Sequence, residues 1–289
     1  MEIRKIQRSG TTYYLYLPAS WCREHKIDTD SVVYLERSSR GDLVIGPKKT
    51  ESNLTTLRLD LSEKNPEVIN KIIIASYINP VKEFHITLKE PIDPDQILEH
   101  KKLLGGLELV DFDETTITCQ TSLALSDPDI LISTMIRKIL SVTKLMKKDP
   151  IHELVDRYEE EIDKSNLLIH KSIISSLTYR RESKTRHIDL FYLGIISRSL
   201  EEITDILITL GDDTKLIDTI ELMMRSLLKQ IENLTQSGVI GFIRSIERLE
   251  HIEVKNLKTY KKKRVYSLLG KIAEILCDWV ITDIVDKTS

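Results

Sequence analysis

Residues 189–210, DLFYLGIISRSLEEITDILITL, place apolar side chains at Leu193, Ile196, Leu200, Ile203, Leu207 and Leu210 in a strict three-four alternation. That period puts all six on one face of a helix and predicts the seam of a bundle. Glu201 follows Leu200 by one position and Asp205 follows Ile203 by two. At about 100° per residue both carboxylates therefore point well away from the seam.

The same i, i+4 carboxylate spacing recurs at Glu159/Asp163 and Glu274/Asp278. Residues four apart on a helix are neighbours, so each pair is a like-charge repulsion of about 0.2–0.5 kcal/mol on an isolated helix. A hard cation would turn that repulsion into ligation. A solvated face is the plain alternative, because Asp156/Glu160 and Asp95/Glu99 reach the same spacing in a chain that is 30% charged. Placement off the seam favours surface cation binding over a buried acid–base dyad, since desolvation drives large pKa shifts.

Outward from this segment, everything after Ser126-Asp127-Pro128 reads as helical. Breaks near Arg181 to Lys184, Gly211 to Lys215, Ser237-Gly238 and Tyr260 to Lys263 divide it into about six helices, with the carboxylate pairs on the second, third and sixth. The basic run Lys258, Lys261, Lys262, Lys263 and Arg264 then falls in the turn between the fifth and sixth.

Residues 51–125 alternate between strand and helix patterns. Thr55 to Leu61 is a strand, Pro66 to Tyr77 a helix and Glu83 to Leu88 a strand. Asp93-Pro94 opens a second helix running to about Leu104, and Leu107 to Asp111 with Thr115 to Thr121 forms a closing hairpin. This βαβαββ module lacks a Gly-rich phosphate loop and a nucleophile motif, and reads as a spacer or docking unit.

The first fifty residues are short strands around one brief helix, Ser20 to Lys26. Arg4-Lys5-Ile6-Gln7-Arg8 leads through the turn signal Ser9-Gly10 into Tyr13 to Leu17, and Val32 to Glu36 pairs with Leu43 to Ile45 across Arg40-Gly41-Asp42. A unit of this size cannot bury a core alone, so two copies are expected to interlock. Residues 1–49 hold nine Lys/Arg against six acids, whereas the whole chain has a net charge of −3. A local positive excess suits contact with DNA phosphates, and Arg4, Lys5 and Arg8 are its candidates. The expected fold class is multidomain α+β: a small β domain at 1–50, the α/β module at 51–125 and an all-α domain at 126–289.

At 289 residues the chain can bury a sizeable core. Cys22, Cys119 and Cys277 are odd in number and far apart, which fits a reduced cytoplasmic protein better than a disulfide framework. The opening Met1-Glu2-Ile3-Arg4 lacks the apolar stretch of a signal peptide, and no apolar run reaches the roughly 18–20 residues of a membrane span. A cytoplasmic protein without membrane insertion is expected. No Ser/His/Asp, Cys/His or P-loop pattern argues for an enzyme.

Arg198-Ser-Leu-Glu201-Glu-Ile-Thr-Asp205 resembles the Arg-x-x-Glu-Arg-x-x-Asp signature of PhoU proteins, and Glu159-Glu-Glu-Ile-Asp163 resembles their Asp/Glu-x-x-x-Asp element one helix earlier. This resemblance implies a six-helix domain of two three-helix bundles. It also implies surface metal clusters at Glu159, Asp163, Glu201, Asp205, Glu274 and Asp278, holding iron or zinc by family precedent, with magnesium or manganese also compatible. The implied role is restraint of phosphate uptake, with a phosphate ABC transporter ATPase or a sensor protein as partner. The signature's middle arginine is Glu202 here, and where a fourth pair would fall the chain offers Glu247 and His251.

The N-terminal segment resembles the SpoVT/AbrB swapped-hairpin domain through Arg8-Ser-Gly10, Leu17-Pro18-Ala19-Ser20-Trp21 and Gly41-Asp42-Leu43-Val44-Ile45-Gly46-Pro47, with Asp30-Ser31 in place of the usual Gly-Asp. That resemblance implies a homodimer presenting basic residues to operator DNA. Together the two imply a transcriptional regulator of phosphate uptake with a metal-binding sensor domain. The alternative is a regulator that docks on a transporter without touching DNA.

Overall fold

A computed structural model describes residues 3–37, 43–47, 55–93, 102–122, 126–148, 153–179, 185–211 and 213–288. The chain is mixed α+β and divides into two compact units, 1–53 and 54–289. In the first, β1 (Gln7–Ser9) and β2 (Thr12–Tyr14) form an antiparallel hairpin pairing Gln7 with Tyr14 and Ser9 with Thr12. Gly10 turns that hairpin at φ 63°, a conformation that costs glycine nothing. After α1 (Ala19–Glu24), β3 (Tyr34–Arg37) and β4 (Leu43–Gly46) pair antiparallel. None of the described residues of this unit whose exposure is assigned is buried.

The second unit opens with β5 (Thr55–Leu61), α2 (Pro66–Ile78) and β6 (Val81–Leu88), the two strands parallel and adjacent. Asn65 starts α2 by accepting from the Glu67 N–H at 2.9 Å, with Pro66 in the first turn where its missing N–H costs nothing. β7 (Leu107–Phe112) and β8 (Thr116–Thr121) complete a four-stranded sheet of order β5-β6-β8-β7. Ile69, Ile73 and Tyr77 of α2 pack with Phe84, Ile86 and Ile117 into its core. The expected second helix lies largely outside the described residues, at 94–101, and residues 102–106 are turns.

Six helices follow: α3 (Pro128–Met146), α4 (Glu153–Tyr179), α5 (His187–Thr209), α6 (Thr214–Glu232), α7 (Gln236–Glu247) and α8 (Leu257–Thr288). They share one apolar core. α3 packs on α4 and α6, α5 on α4 and α8, and α7 on α6 and α8. The seam residues Leu193, Ile196, Leu200, Ile203 and Leu207 of α5 are buried, and so is Leu210, which follows its last residue.

Two expected breaks move. Ser237-Gly238 lies inside the first turn of α7, which Thr235 caps by accepting from the Gly238 N–H at 3.2 Å. The glycine marks a close approach, since a Cβ there would sit 2.3 Å from the buried Gln230 amide. Tyr260 to Lys263, together with the basic run, lies inside α8. Asn256 accepts from the Thr259 N–H at 2.9 Å while the Thr259 hydroxyl accepts from the Asn256 N–H at 3.0 Å. This reciprocal cap starts the helix at Leu257, and Lys and Arg propagate it well.

Two polar contacts tie the second unit together. The Lys171 ammonium on α4, buried, donates to the Tyr77 carbonyl at 2.7 Å and lies 3.9 Å from the Tyr77 ring centroid, joining the bundle to the sheet module. Burial pulls its pKa down to about 8. Asp189, also buried, takes a two-pronged pair from Arg186 at 2.8 and 2.7 Å and the Trp279 indole N–H at 2.8 Å, binding α5 to α8. Breaking a buried, hydrogen-bonded ion pair strands its partners. Asp189→Ala is expected to cost about 3 kcal/mol of stability in chemical denaturation followed by far-UV circular dichroism, and a cost below about 1 kcal/mol would remove the network's structural role.

Candidate carboxylate site

Glu159 and Asp163 lie one turn apart on α4, and Glu201 and Asp205 one turn apart on α5. The two helices pack directly, and all four side chains are half-buried. Off-seam placement on α5 does not mean full solvation. That helix has a second contact face, turned to α4, which a reading of the Leu193–Leu210 seam alone overlooks.

The electrostatics follow from this apposition. Burial, reinforced by the Asp205, Glu201, Glu159 and Glu160 charges, pushes the Asp163 carboxyl up to about 7. Burial and then Asp205 raise Glu159, burial and Asp205 raise Glu201, and burial and Glu202 raise Asp205. A strongly shifted carboxyl, which off-seam placement argued against, is therefore present at Asp163, because desolvation and like charge act together.

The donor set is four carboxylates, the chemistry that hard or borderline cations accept. Among the described residues no three His, Cys, Asp or Glu side chains converge closely enough to hold an ion as they stand.

One neighbour and one pairing escaped the sequence reading. His170, on α4 seven residues after Asp163, accepts from the Arg198 Nε–H at 3.3 Å, and burial and then Arg198 bring its pKa down to about 4. Its spacing from Asp163, two turns along one face, was the available signal. Glu202, in the place of the signature's arginine, takes Arg264 of α8 at 2.6 and 3.0 Å. That pairing is tertiary and left no mark on the local sequence.

Glu274 and Asp278 lie exposed on α8, and among the described residues neither is ion-paired. Glu247 ends α7 and His251 lies beyond it, both exposed. The structure thus brings together Glu159, Asp163, Glu201 and Asp205 and leaves Glu274/Asp278 apart. In the N-terminal unit Arg4 and Lys5 precede β1 and Arg8 lies on it, all exposed. Arg8 donates to the Gly10 carbonyl at 2.8 Å and sits 5.7 Å from the Tyr13 ring centroid.

Comparison with protein-family models, curated proteins and solved structures finds no match to this chain.

A carboxyl whose folded pKa is raised keeps its proton longer in the folded state than in the unfolded one. Asp163 therefore makes folding less favourable as pH rises from about 4 to about 7, with the full penalty present above 7. In chelator, Asp163→Asn is expected to stabilise the protein at pH 8 by about 1–2 kcal/mol, allowing for solvent screening, and to change little at pH 4. Equal or lower stability of the variant at pH 8, measured by urea denaturation, would contradict the electrostatic assignment.

Proposed function

We propose that this chain is a homodimeric, cation-responsive regulator of phosphate uptake that acts on operator DNA. The observation that carries the reading is the apposition of Glu159 and Asp163 with Glu201 and Asp205, four half-buried carboxylates whose pKa values are all raised. An arrangement that opposes folding in this way is what a cation site looks like before loading. These four residues would hold the ion, iron or zinc in the first instance and magnesium or manganese otherwise. A bound cation would supply the positive charge that offsets their repulsion.

The phosphate context rests on the resemblance of residues 159–163 and 198–205 to the PhoU motifs. Dimerisation is supported by the first unit, which carries two hairpins and a helix without one buried residue among those whose exposure is assigned. A second interlocked copy is the usual remedy for a unit that small. DNA contact is supported by the exposure of Arg4, Lys5 and Arg8 and by the local positive excess, which dimerisation doubles. Cation loading regulates DNA binding only if the two states of the dimer differ in affinity for the ion.

Metal analysis of the purified full chain tests the first half. Wild type is expected to retain bound metal, and the Glu159→Ala/Asp163→Ala/Glu201→Ala/Asp205→Ala variant to lose it. Equal, negligible metal in both would end the cation reading. For the second half, binding of the full chain to promoter DNA should weaken steeply with salt and fall at least tenfold, a loss of about 1.4 kcal/mol, in Arg4→Ala/Arg8→Ala. No binding even at low salt would leave the alternative, a regulator that docks on a transporter ATPase without DNA.

A further inference from the structure

Phe84, Ile86 and Ile117 turn to α2, so the alternate residues of β5, β6 and β8 form the opposite face of the four-stranded sheet. On that face Arg58, His85 and Thr118 are partners in register, one on each of three neighbouring strands, and Glu83 lies two residues before His85 on β6. The side chains of Glu83 and His85 are 25 and 28% exposed, and Arg58, Asp60 and Thr87 are exposed around them. None of these residues takes part in the carboxylate site or in the DNA reading.

His85 uses both ring nitrogens. Its Nε2 lies 2.9 Å from the Glu83 carboxylate and its Nδ1 3.0 Å from the Thr118 hydroxyl. An ionised carboxylate only accepts, so Nε2 carries the hydrogen, and in the neutral ring Nδ1 is left as an acceptor. The Thr118 hydroxyl therefore donates to it. A hydroxyl donating to an imidazole whose other nitrogen is held by a carboxylate is the nucleophile, base and orienting group of acyl transfer. Across β6 from Thr118, Arg58 is, among the described residues, in no hydrogen bond or ion pair. Its guanidinium supplies the positive charge that a developing oxyanion needs. No local motif announces the set, because Thr118 lies 33 residues after His85 and only strand register brings them together.

The geometry points to an acyl-transfer site on this sheet face, in which Thr118 takes a small, uncharged acyl group from an ester, His85 is the base, Arg58 meets the oxyanion and Glu83 is the positioning residue. The Thr118 oxygen attacks the ester carbonyl carbon while its proton passes to His85 Nδ1. The bond from that carbon to the leaving oxygen then breaks, and the leaving alcohol takes the proton from His85. Water attacks the acyl-Thr118 ester in the same way, releasing a carboxylate and a proton and restoring the hydroxyl. Asp60, Glu108 and Asp111 are exposed on the same face, so anionic esters are repelled. Thr118 is 7% exposed, which suits an acetyl-sized group and not a long chain. The site stands apart from the cation and DNA readings and depends on neither.

Incubation of the full-length protein with p-nitrophenyl acetate tests it. Wild type is expected to release p-nitrophenolate and, quenched in acid, to carry an acetyl group on Thr118, located by peptide mass. A positioned base contributes about 10²–10⁴-fold, so His85→Gln and Thr118→Val should each lower the rate about tenfold or more, while Thr118→Ser keeps it. Arg58→Ala should lower it by about tenfold or more as well. Glu83→Gln should reduce kcat with KM and the urea midpoint unchanged, a split that a purely structural role would not produce. Absence of acetyl-Thr118, or a Thr118→Val rate equal to that of wild type, would overturn the assignment. The acetyl mapping is made on wild type and so decides the matter even where a variant fails to fold.

Discussion

Burial of the Leu193–Leu210 seam is the constraint on which the rest of this structure depends. Leu193, Ile196, Leu200, Ile203 and Leu207 are fully enclosed and Leu210 nearly so. At about 1.5–3 kcal/mol for each buried aliphatic side chain, that face is worth on the order of 10 kcal/mol, before the entropy of ordering it. Like-charge repulsion between helical carboxylates is far smaller. The core therefore decides where α5 lies, and Glu201 and Asp205 are carried against Glu159 and Asp163 of α4 whatever that costs.

The polar contacts divide between those that hold the fold and those that oppose it. Asp189 with Arg186 and Trp279 closes α5 on α8, and Lys171 with Tyr77 closes α4 on the sheet module. Each of these groups has a partner of opposite charge or a complementary donor or acceptor. The four clustered carboxylates have mainly one another, and local disagreement of that kind in an otherwise consistent fold is where function is expected. The regulatory role proposed above would draw on such a feature. A site already neutralised by internal partners would gain nothing from binding an ion and could not bias one state over another.

Much of the fold was legible from pattern alone. The α5 helix, the β5-α2-β6 run and the β7-β8 hairpin came from periodicity and turn residues, because a chain must hide apolar faces at periods of 3.6 or 2. The misplaced boundaries fell where side-chain chemistry overrode composition. Gly238 sits in a helix because Gln230 approaches it, and a lysine-rich run continues α8 because Asn256 and Thr259 cap its start. The candidate site was legible as spacing, since i, i+4 pairs lie on one face. Its environment was not, since burial depends on the neighbouring helix.

The sequence by itself determined which residues share a face: the Leu193–Leu210 seam and the carboxylate pairs are both consequences of helical period. Only the tertiary structure decided which faces meet. It set Glu159 and Asp163 opposite Glu201 and Asp205, gave Glu202 to Arg264 and left Glu274 and Asp278 in solvent. The physical reason is that period is a property of one helix, whereas desolvation and Coulomb coupling belong to pairs of helices. Which helices pair is settled by the apolar core that all six share.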